Sequence, residues 1–351
     1  MSAVEAPLGH VEVVRGLWRA RARGRLPHAL LFEGPGGVGK FRAALWFAQG
    51  IFCATWAEDD ASAAEEWAGP CGTCGPCKRF QSRSHPDVFV LDPLEHELET
   101  IPIAAITERE DGKWQGDSVC EFLALRPAEG GMRVVVVREF ERANDAAQNA
   151  LLKTLEEPGD ATLLVLESSR PDLLLETVRS RCVTVRFGAL EAEQARDILR
   201  AAGSTNVRGP LVGWAGGSPG RALALERAGA LAVRAVFADL LHGRTDPLAA
   251  TRRVLELEGE FTGRTPTAQV RERTRAALDL LLAVLRDGVC HASGLPAEGL
   301  AHGDLAVLAL GRTAAWTAAL ERVVALRGEV ELNLSPESLL DRAFLALPRP
   351  A

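Results

Sequence analysis

The sequence predicts a phosphate-loop α/β domain with a parallel sheet and an inserted four-cysteine module, followed by two helical domains. Short apolar runs alternate with helical patterns in the first half of the chain, which is typical of a parallel sheet covered on both faces. The first run ends in a glycine-rich segment, and strand patterns cease after about Gly188. We therefore expect an α/β domain over 1–187 with its cysteine module at about 53–77, a small helical domain over 188–245 and a helical domain over 246–351.

Composition limits the class of protein. The 351 residues are 47% hydrophobic and 25% charged, which is ordinary for a globular protein of two or three domains. The net charge of −7 argues against a freestanding nucleic-acid binder, though not against DNA contact inside a larger assembly. No run approaches the ~18 apolar residues of a membrane span, and the N-terminus lacks a signal region. We expect a cytoplasmic protein that does not engage a membrane.

The predicted elements of the first domain follow one another as strand and helix. The predicted strands are Ala29–Glu33, Asp87–Leu91, Met132–Val137, Thr162–Leu166 and Val183–Phe187. Amphipathic stretches predict helices at 40–52 and 144–155. The acidic, Ala-rich segment 55–70 and the aperiodic segment 93–117 are predicted to be solvated surface insertions.

Helical patterns dominate the rest of the chain. Residues 190–202 and a segment from Arg221 are predicted helices, separated by a glycine- and proline-containing turn. From about Leu231 the pattern stays helical, with breaks predicted at Gly259–Thr267 and around Gly288–Gly303.

The glycine-rich segment between the first strand and the first helix has the spacing of a phosphate loop. Its candidate nucleotide-binding residues are Gly34, Gly36, Gly37, Gly39 and Lys40. Glycines allow backbone N–H groups to turn toward phosphates, the helix N-terminus adds positive charge, and the lysine reaches the outer phosphates.

Both expected magnesium ligands are missing from this loop. Phe41 stands where a phosphate loop has Ser or Thr, and Arg138 stands where an aspartate would end the strand before Glu139. A hard cation requires oxygen ligands, and phosphoryl transfer in such folds relies on Mg²⁺. The sequence therefore predicts a degenerate site that holds ATP or ADP, if at all, without hydrolysis, and that does not bind Mg²⁺. Arg138 could supply positive charge in place of the cation.

Four cysteines predict a metal site. Cys71, Cys74 and Cys77 have two-residue spacings, and Cys53 lies upstream as the fourth thiolate. Four sulfur ligands favour a closed structural Zn²⁺ site. An iron–sulfur cluster and unligated thiols are the alternatives.

These features together resemble a family. The segments Pro27–Phe32, His85–Asp87, Asn149–Pro158 and Arg179–Cys182 are similar to those of the bacterial DNA polymerase III clamp loader subunits, AAA+ proteins of the gamma/tau and delta-prime type. The resemblance is dense over roughly residues 25–225 and weaker in the helical tail, where 332–336 fits the collar helices. Because the loop is degenerate, it points to the delta-prime type.

The resemblance implies roles for further residues. Arg181 would act as an arginine finger in the ATP site of a neighbouring gamma/tau subunit. Ser168 and Ser169 match the first sensor position, and Arg221 matches the second. The three domains would be an AAA+ domain, a lid and a collar.

The resemblance also implies partners. The chain would join gamma/tau and delta subunits in a ring that loads the sliding clamp on primer–template DNA. Two alternatives remain at this point: an active gamma/tau-type ATPase, and a zinc-stabilised nucleotide-sensing scaffold outside replication.

Overall fold

The chain forms two compact units, Met1–Gln194 and Ala195–Ala351. The computed structural model describes residues 6–55, 69–96, 98–107, 114, 117–129, 131–159, 161–207, 209–261, 265–332 and 334–348. Most of the predicted insertion 55–70, parts of 93–117 and Asn333 lie outside the described residues. The predicted division of the second unit into a lid and a collar near residue 245 stays a prediction.

The first unit is built on a five-stranded sheet in which all strand pairs are parallel. Its strands are β1 (Ala29–Glu33), β2 (Val88–Leu91), β3 (Arg133–Val137), β4 (Thr162–Ser168) and β5 (Val183–Arg186). Their order across the sheet is β2-β3-β4-β1-β5. The five predicted strands and the parallel α/β architecture are confirmed, with ends that shift by one or two residues.

Helices cover both faces of this sheet. They are α1 (Val11–Ala22), α2 (Lys40–Ile51), α3 (Gly75–Gln81), α4 (Ile103–Ile106), α5 (Val119–Ala124), α6 (Asp145–Glu156) and α7 (Glu176–Arg179). Leu30 and Phe32 of β1 pack in one apolar cluster with α1 and α2. Leu31, between them, packs in the opposite cluster with α4, α5 and α6. This alternation explains why the strands are apolar throughout, since both faces are buried.

The carboxyl ends of the central strands meet at one edge of the sheet. Phe32 of β1 lies beside Glu167 of β4, and Val137 of β3 lies beside Leu166. The loops after β1, β3 and β4 therefore converge, as ligand-binding loops do in parallel sheets.

The second unit is helical throughout its described part. Its helices are α8 (Ala192–Ala201, which begins just before the unit boundary), α9 (Leu211–Trp214), α10 (Pro219–Arg227), α11 (Ala230–Leu241), α12 (Pro247–Glu256), α13 (Pro266–Ala292), α14 (Gly303–Ala306), α15 (Thr313–Glu329) and α16 (Pro336–Leu345). No helix in the described ranges of the chain is long and apolar enough to cross a membrane.

One predicted break, that around Gly288–Gly303, is present but begins later than expected. Helix α13 continues through Gly288 to Ala292, so the interruption begins at Ser293. A Cβ atom on Gly288 would lie 2.3 Å from the Trp316 ring of α15. The glycine therefore permits close packing of two helices rather than ending one, a choice that tertiary contacts make.

Candidate functional site

The glycine-rich segment forms a loop between β1 and α2. Gly34, Gly37 and Gly39 have φ values of 143°, 77° and 104°, which L side chains rarely adopt. A Cβ atom on Gly34 would lie 2.0 Å from the carbonyl oxygen of Phe187. Helix α2 begins at Lys40, so its free N–H groups open toward the loop. These backbone angles and the helix that follows are compatible with a phosphate loop.

The ammonium group of Lys40 contacts oxygen atoms of its own chain. Its side chain is buried, and Nζ donates to the carbonyl oxygens of Gly34 and Pro35 at 2.8 Å each. Nζ also donates to Ser169 Oγ at 2.9 Å and lies 3.0 Å from Glu167 Oε1. Every proton of the ammonium group therefore has a partner within the loop and β4.

Glu167 is a site residue that the sequence reasoning missed. It lies in β4 and is buried, and its second oxygen, Oε2, accepts the backbone N–H of Glu139 at 2.9 Å. Burial raises the pKa of the Glu167 carboxyl, an effect that the positive charge of Lys40 opposes. The sequence could have identified it, because a glutamate at the end of an apolar strand is expected to be buried and to need a charged or hydrogen-bonding partner.

The two candidate sensor serines have different environments. Ser168 is buried, and its Oγ accepts the backbone N–H of Arg170 at 3.1 Å. Ser169 contacts Lys40 through Oγ, and its backbone N–H donates to Glu141 Oε1 at 3.0 Å. Ser169 Oγ also lies 3.4 Å from where a Cβ on Gly36 would be. Ser169 is thus the serine at the loop.

Phe41 and Arg138, which stand where magnesium ligands would be expected, contact each other. The Arg138 guanidinium carbon lies 4.9 Å from the centre of the Phe41 ring. Arg138 Nη1 also donates to Asp92 Oδ2 at 3.0 Å, so a carboxylate that the sequence did not single out neutralises this charge. The carboxylate of Glu139 accepts a 2.6 Å hydrogen bond from Arg142 Nε. The cation-binding positions hold a cation–π pair instead.

Arg181 lies between α7 and β5 in a much more open setting. Its Nη1 donates to the carbonyl oxygen of Thr177 at 2.9 Å, and its Nη2 pairs with the Glu156 carboxylate at the end of α6. The two side chains are 34% and 50% exposed. Water screens such a pair, and it contributes little to stability. The guanidinium is therefore accessible from outside the first unit.

Arg221 belongs to the second unit. It is an exposed residue of α10, whose N-cap Ser218 accepts its backbone N–H at 3.2 Å. Together with Trp214 and His302 it lines an open cavity of about 720 Å³ within that unit. Its expected role as a second sensor stays a prediction.

The four cysteines converge on one point. The Sγ atoms of Cys53, Cys71, Cys74 and Cys77 all lie within 4.8 Å of one another. A tetrahedral ion with Zn–S bonds of about 2.3 Å brings its sulfurs to about 3.8 Å from each other, so the cluster can close on such an ion with small movements. The upstream Cys53 is thus part of the group, as predicted.

Backbone N–H groups donate hydrogen bonds to two of these sulfurs. The backbone N–H of Cys71 donates to Cys53 Sγ at 3.3 Å, and that of Cys74 donates to Cys71 Sγ at 3.4 Å. Backbone N–H groups of Thr73 and Cys74 lower the pKa of Cys71 to about 5. Burial raises the pKa of the Cys77 thiol. A bound cation would be needed for all four to ionise together.

Comparison with known proteins identifies relatives of the first unit. The family model described as DNA polymerase III, delta subunit, matches residues 9–191, just over half of the chain. The DNA polymerase III subunit delta' of Bacillus subtilis is 33% identical over 187 residues, or 53% of this chain and 50% of that protein. The delta' subunit of Pseudomonas aeruginosa is 36% identical over 170 residues, or 48% and 46% of the two chains.

A subunit of a second type is similar over a comparable length of this chain. The DNA polymerase III subunit tau of Escherichia coli is 32% identical over 192 residues, or 55% of this chain and 26% of that protein. A solved gamma subunit-related protein from Thermotoga maritima aligns with 95% of this chain and 97% of its own, at 16% identity and a TM-score of 0.43. The match to the delta' subunits spans about half of their length. On the strength of the family-model match, the chain belongs to the DNA polymerase III delta-subunit family, within its delta-prime and gamma/tau clamp loader group.

Proposed function

We propose that this chain is a delta-prime-like subunit of the DNA polymerase III clamp loader, deficient in ATP hydrolysis, that supplies Arg181 to the ATP site of a neighbouring gamma/tau subunit. It would act as a rigid stator during the loading of a sliding clamp on primed DNA. The observation that carries this proposal is the contrast between a self-occupied phosphate loop and an accessible arginine within one domain.

The deficiency in hydrolysis is supported by the groups at the metal positions. Phe41 offers no oxygen, and Arg138 is a cation that pairs with Asp92 and packs on the Phe41 ring. Neither residue can hold Mg²⁺, which neutralises the phosphate charge during phosphoryl transfer.

The role of Arg181 is supported by its exposure and its weak local pairing. Its guanidinium presents a planar fork of N–H donors that suits the oxygens of a γ-phosphate. Its exposed partner Glu156 is a single carboxylate, which a more highly charged phosphate can displace. Charge that develops on the phosphate oxygens in the transition state would then be stabilised by Arg181.

The similarity to DNA polymerase III subunits supports the proposed partners. Gamma/tau and delta subunits would form a ring with this chain, and the helical second unit would contribute the collar. Contact with the sliding clamp and primer–template DNA would be made by the whole complex, which suits a subunit whose own net charge is −7. The setting is cytoplasmic.

The test is a reconstituted complex that carries either the natural chain or Arg181→Ala. We expect ATP hydrolysis at the adjoining site to fall by roughly 10³-fold or more, as a lost or slowed phase in single-turnover hydrolysis with clamp and primed DNA. The matched control is Arg179→Ala, which removes an exposed arginine from the same segment. Size-exclusion chromatography reports whether each variant still assembles.

Two results would reject parts of the proposal. Unchanged hydrolysis in an intact Arg181→Ala complex would remove Arg181 from catalysis. Failure of the natural chain to assemble with the other subunits would instead favour a zinc-stabilised nucleotide-sensing scaffold outside replication.

A second candidate, an active gamma/tau-type ATPase, is favoured by the similarity to subunit tau. It requires Mg²⁺ to be held by some other group. Measurable ATP turnover by the purified chain would support it, provided that Lys40→Ala abolishes the turnover.

We also propose that the cysteine cluster binds structural Zn²⁺. The observation is the proximity of four sulfurs in the described structure. Elemental analysis should give one zinc per chain, and Cys77→Ser should lose it, whereas Cys290→Ser should retain it. An iron–sulfur absorption spectrum or a metal-free folded protein would overturn this assignment.

A further inference from the structure

We propose that Glu167 excludes nucleotide from the chain's own phosphate loop by holding Lys40 in place of a phosphate. This inference deepens the proposed function and rests on it for its biological meaning, since a stator needs no nucleotide of its own. It assigns the specificity of the loop to a residue outside the loop itself.

The ammonium group of Lys40 already has several oxygen partners. Lys40 Nζ lies 3.0 Å from Glu167 Oε1 and donates to three further oxygen atoms, those of Gly34, Pro35 and Ser169. A phosphate oxygen could reach this ammonium group only by displacing at least one of these partners. The partner with a full negative charge is Glu167, which makes the strongest of the competing contacts.

Glu167 is fixed in position by its backbone and by its second carboxylate oxygen. Its backbone is part of β4, which pairs with strands on both sides. Its Oε2 is held by the backbone N–H of Glu139, a residue with φ of 48° immediately after β3. The side chains of Lys40 and Glu167 are only 1% and 6% exposed. Water therefore cannot easily replace either partner.

The charge of Glu167 also opposes nucleotide binding. A nucleotide would bring phosphate charge to the loop beside a buried carboxylate, and like charges at close range in a poorly solvated site repel strongly. Arg138 does not offset this repulsion, because Asp92 already neutralises the positive charge of Arg138. Glu141, whose carboxylate holds the backbone N–H of Ser169, adds further negative charge at the same edge.

The experiment measures equilibrium binding of fluorescent mant-ADP and mant-ATP to the purified full chain, with and without Mg²⁺. The natural chain should show no saturable binding at millimolar nucleotide. Glu167→Gln keeps the size of the side chain and removes its charge, so we expect affinity to rise by at least about 100-fold. Glu167→Ala serves as a second variant, and Lys40→Ala combined with Glu167→Gln should lose the binding again.

The matched control is Glu157→Gln, which removes an exposed carboxylate that does not contact Lys40. It should leave binding close to that of the natural chain. Circular dichroism spectra and unfolding curves establish that each variant is folded. If either Glu167→Gln or Glu167→Ala is folded and still does not bind nucleotide, the proposal is contradicted.

Two outcomes overturn the inference. Tight binding by the natural chain would show that Lys40 is available to phosphate. Binding that needs Mg²⁺ and is lost in Glu167→Gln would make Glu167 a metal ligand, the opposite role.

The failure of this inference can be told apart from failure of the proposed function. Nucleotide binding by the natural chain, together with hydrolysis in the complex that needs Arg181, would reject only the inference. Exclusion of nucleotide, together with hydrolysis indifferent to Arg181, would reject only the arginine-finger role. Turnover by Glu167→Gln alone would support exclusion by Glu167 and contradict the loss of metal-binding capacity.

Discussion

Two ion pairs, each between a basic residue and a glutamate, lie in the same α/β unit but differ in their exposure to solvent. Lys40 and Glu167 at the carboxyl edge of the sheet are 1% and 6% exposed. Arg181, between α7 and β5, and Glu156, at the end of α6, are 34% and 50% exposed. The chemistry of the two pairs is alike, and burial decides what each can do.

The difference follows from solvation. A buried charge has lost its water and depends on its partner, so the buried pair is hard to open from either side. An exposed pair keeps most of its hydration, and its partners can exchange at little free-energy cost. The first pair is therefore suited to closing a site and the second to donating an arginine to another molecule.

The largest expected effect is on stability. Lys40→Met would leave the Glu167 carboxylate buried without its cation, and we expect the free energy of unfolding at pH 7 to fall by about 3–5 kcal/mol. Arg181→Met, the same replacement at the exposed pair, should lower it by less than about 1 kcal/mol. Urea unfolding followed by circular dichroism measures both. Equal losses of unfolding free energy in the two variants would contradict the difference in burial between the two pairs.

A smaller effect is expected in the pH dependence of stability. Burial raises the pKa of Glu167 against the opposing charge of Lys40, with Glu141 adding to the rise. The folded state thus binds this proton more tightly than the unfolded state. Stability from this group is present below the ordinary glutamate pKa and is lost as pH rises through the raised value.

The measurement is the difference in unfolding free energy between the natural chain and Glu167→Gln across the acid-to-neutral range. As pH rises, the unfolding free energy of the natural chain should fall relative to that of Glu167→Gln, by about 1.4 kcal/mol for each unit of pKa shift. The difference should then level off. Glu157→Gln, an exposed replacement, should give a curve parallel to that of the natural chain. A parallel curve for Glu167→Gln would contradict the environment assigned to it.

The smallest expected effect concerns the exposed pair. Glu156→Gln should free Arg181 from a competing carboxylate and raise kcat/KM for ATP in the reconstituted complex by no more than about fivefold, in keeping with an exposed ion pair. Its effect on stability should stay below about 1 kcal/mol. Glu157→Gln removes the adjacent charge and should change neither quantity. A large loss of activity in Glu156→Gln would mean that Glu156 positions Arg181 rather than competing for it.

Much of the first unit could be predicted because its signals are local. The strands are apolar runs bounded by turns, the loop has its glycines at fixed spacing, and Cys71, Cys74 and Cys77 lie close in sequence. Cys53 was a harder case, since a long insertion separates it from the others, yet it joins the cluster. The break predicted around Gly288–Gly303 begins only at Ser293, because Gly288 lies within a helix and packs against Trp316 of another helix.

By itself, the sequence determined the order of strands and helices in the first unit, the loop with its missing magnesium ligands and the candidate arginine at Arg181. Only the tertiary structure decided that Lys40 pairs with Glu167 and that Arg138 pairs with Asp92. The physical reason is the strand order: β4 lies next to β1 and brings residues far apart in sequence to one edge. Local pattern fixes which residue types are present, whereas the burial and pairing that set their chemistry arise from contacts between distant segments.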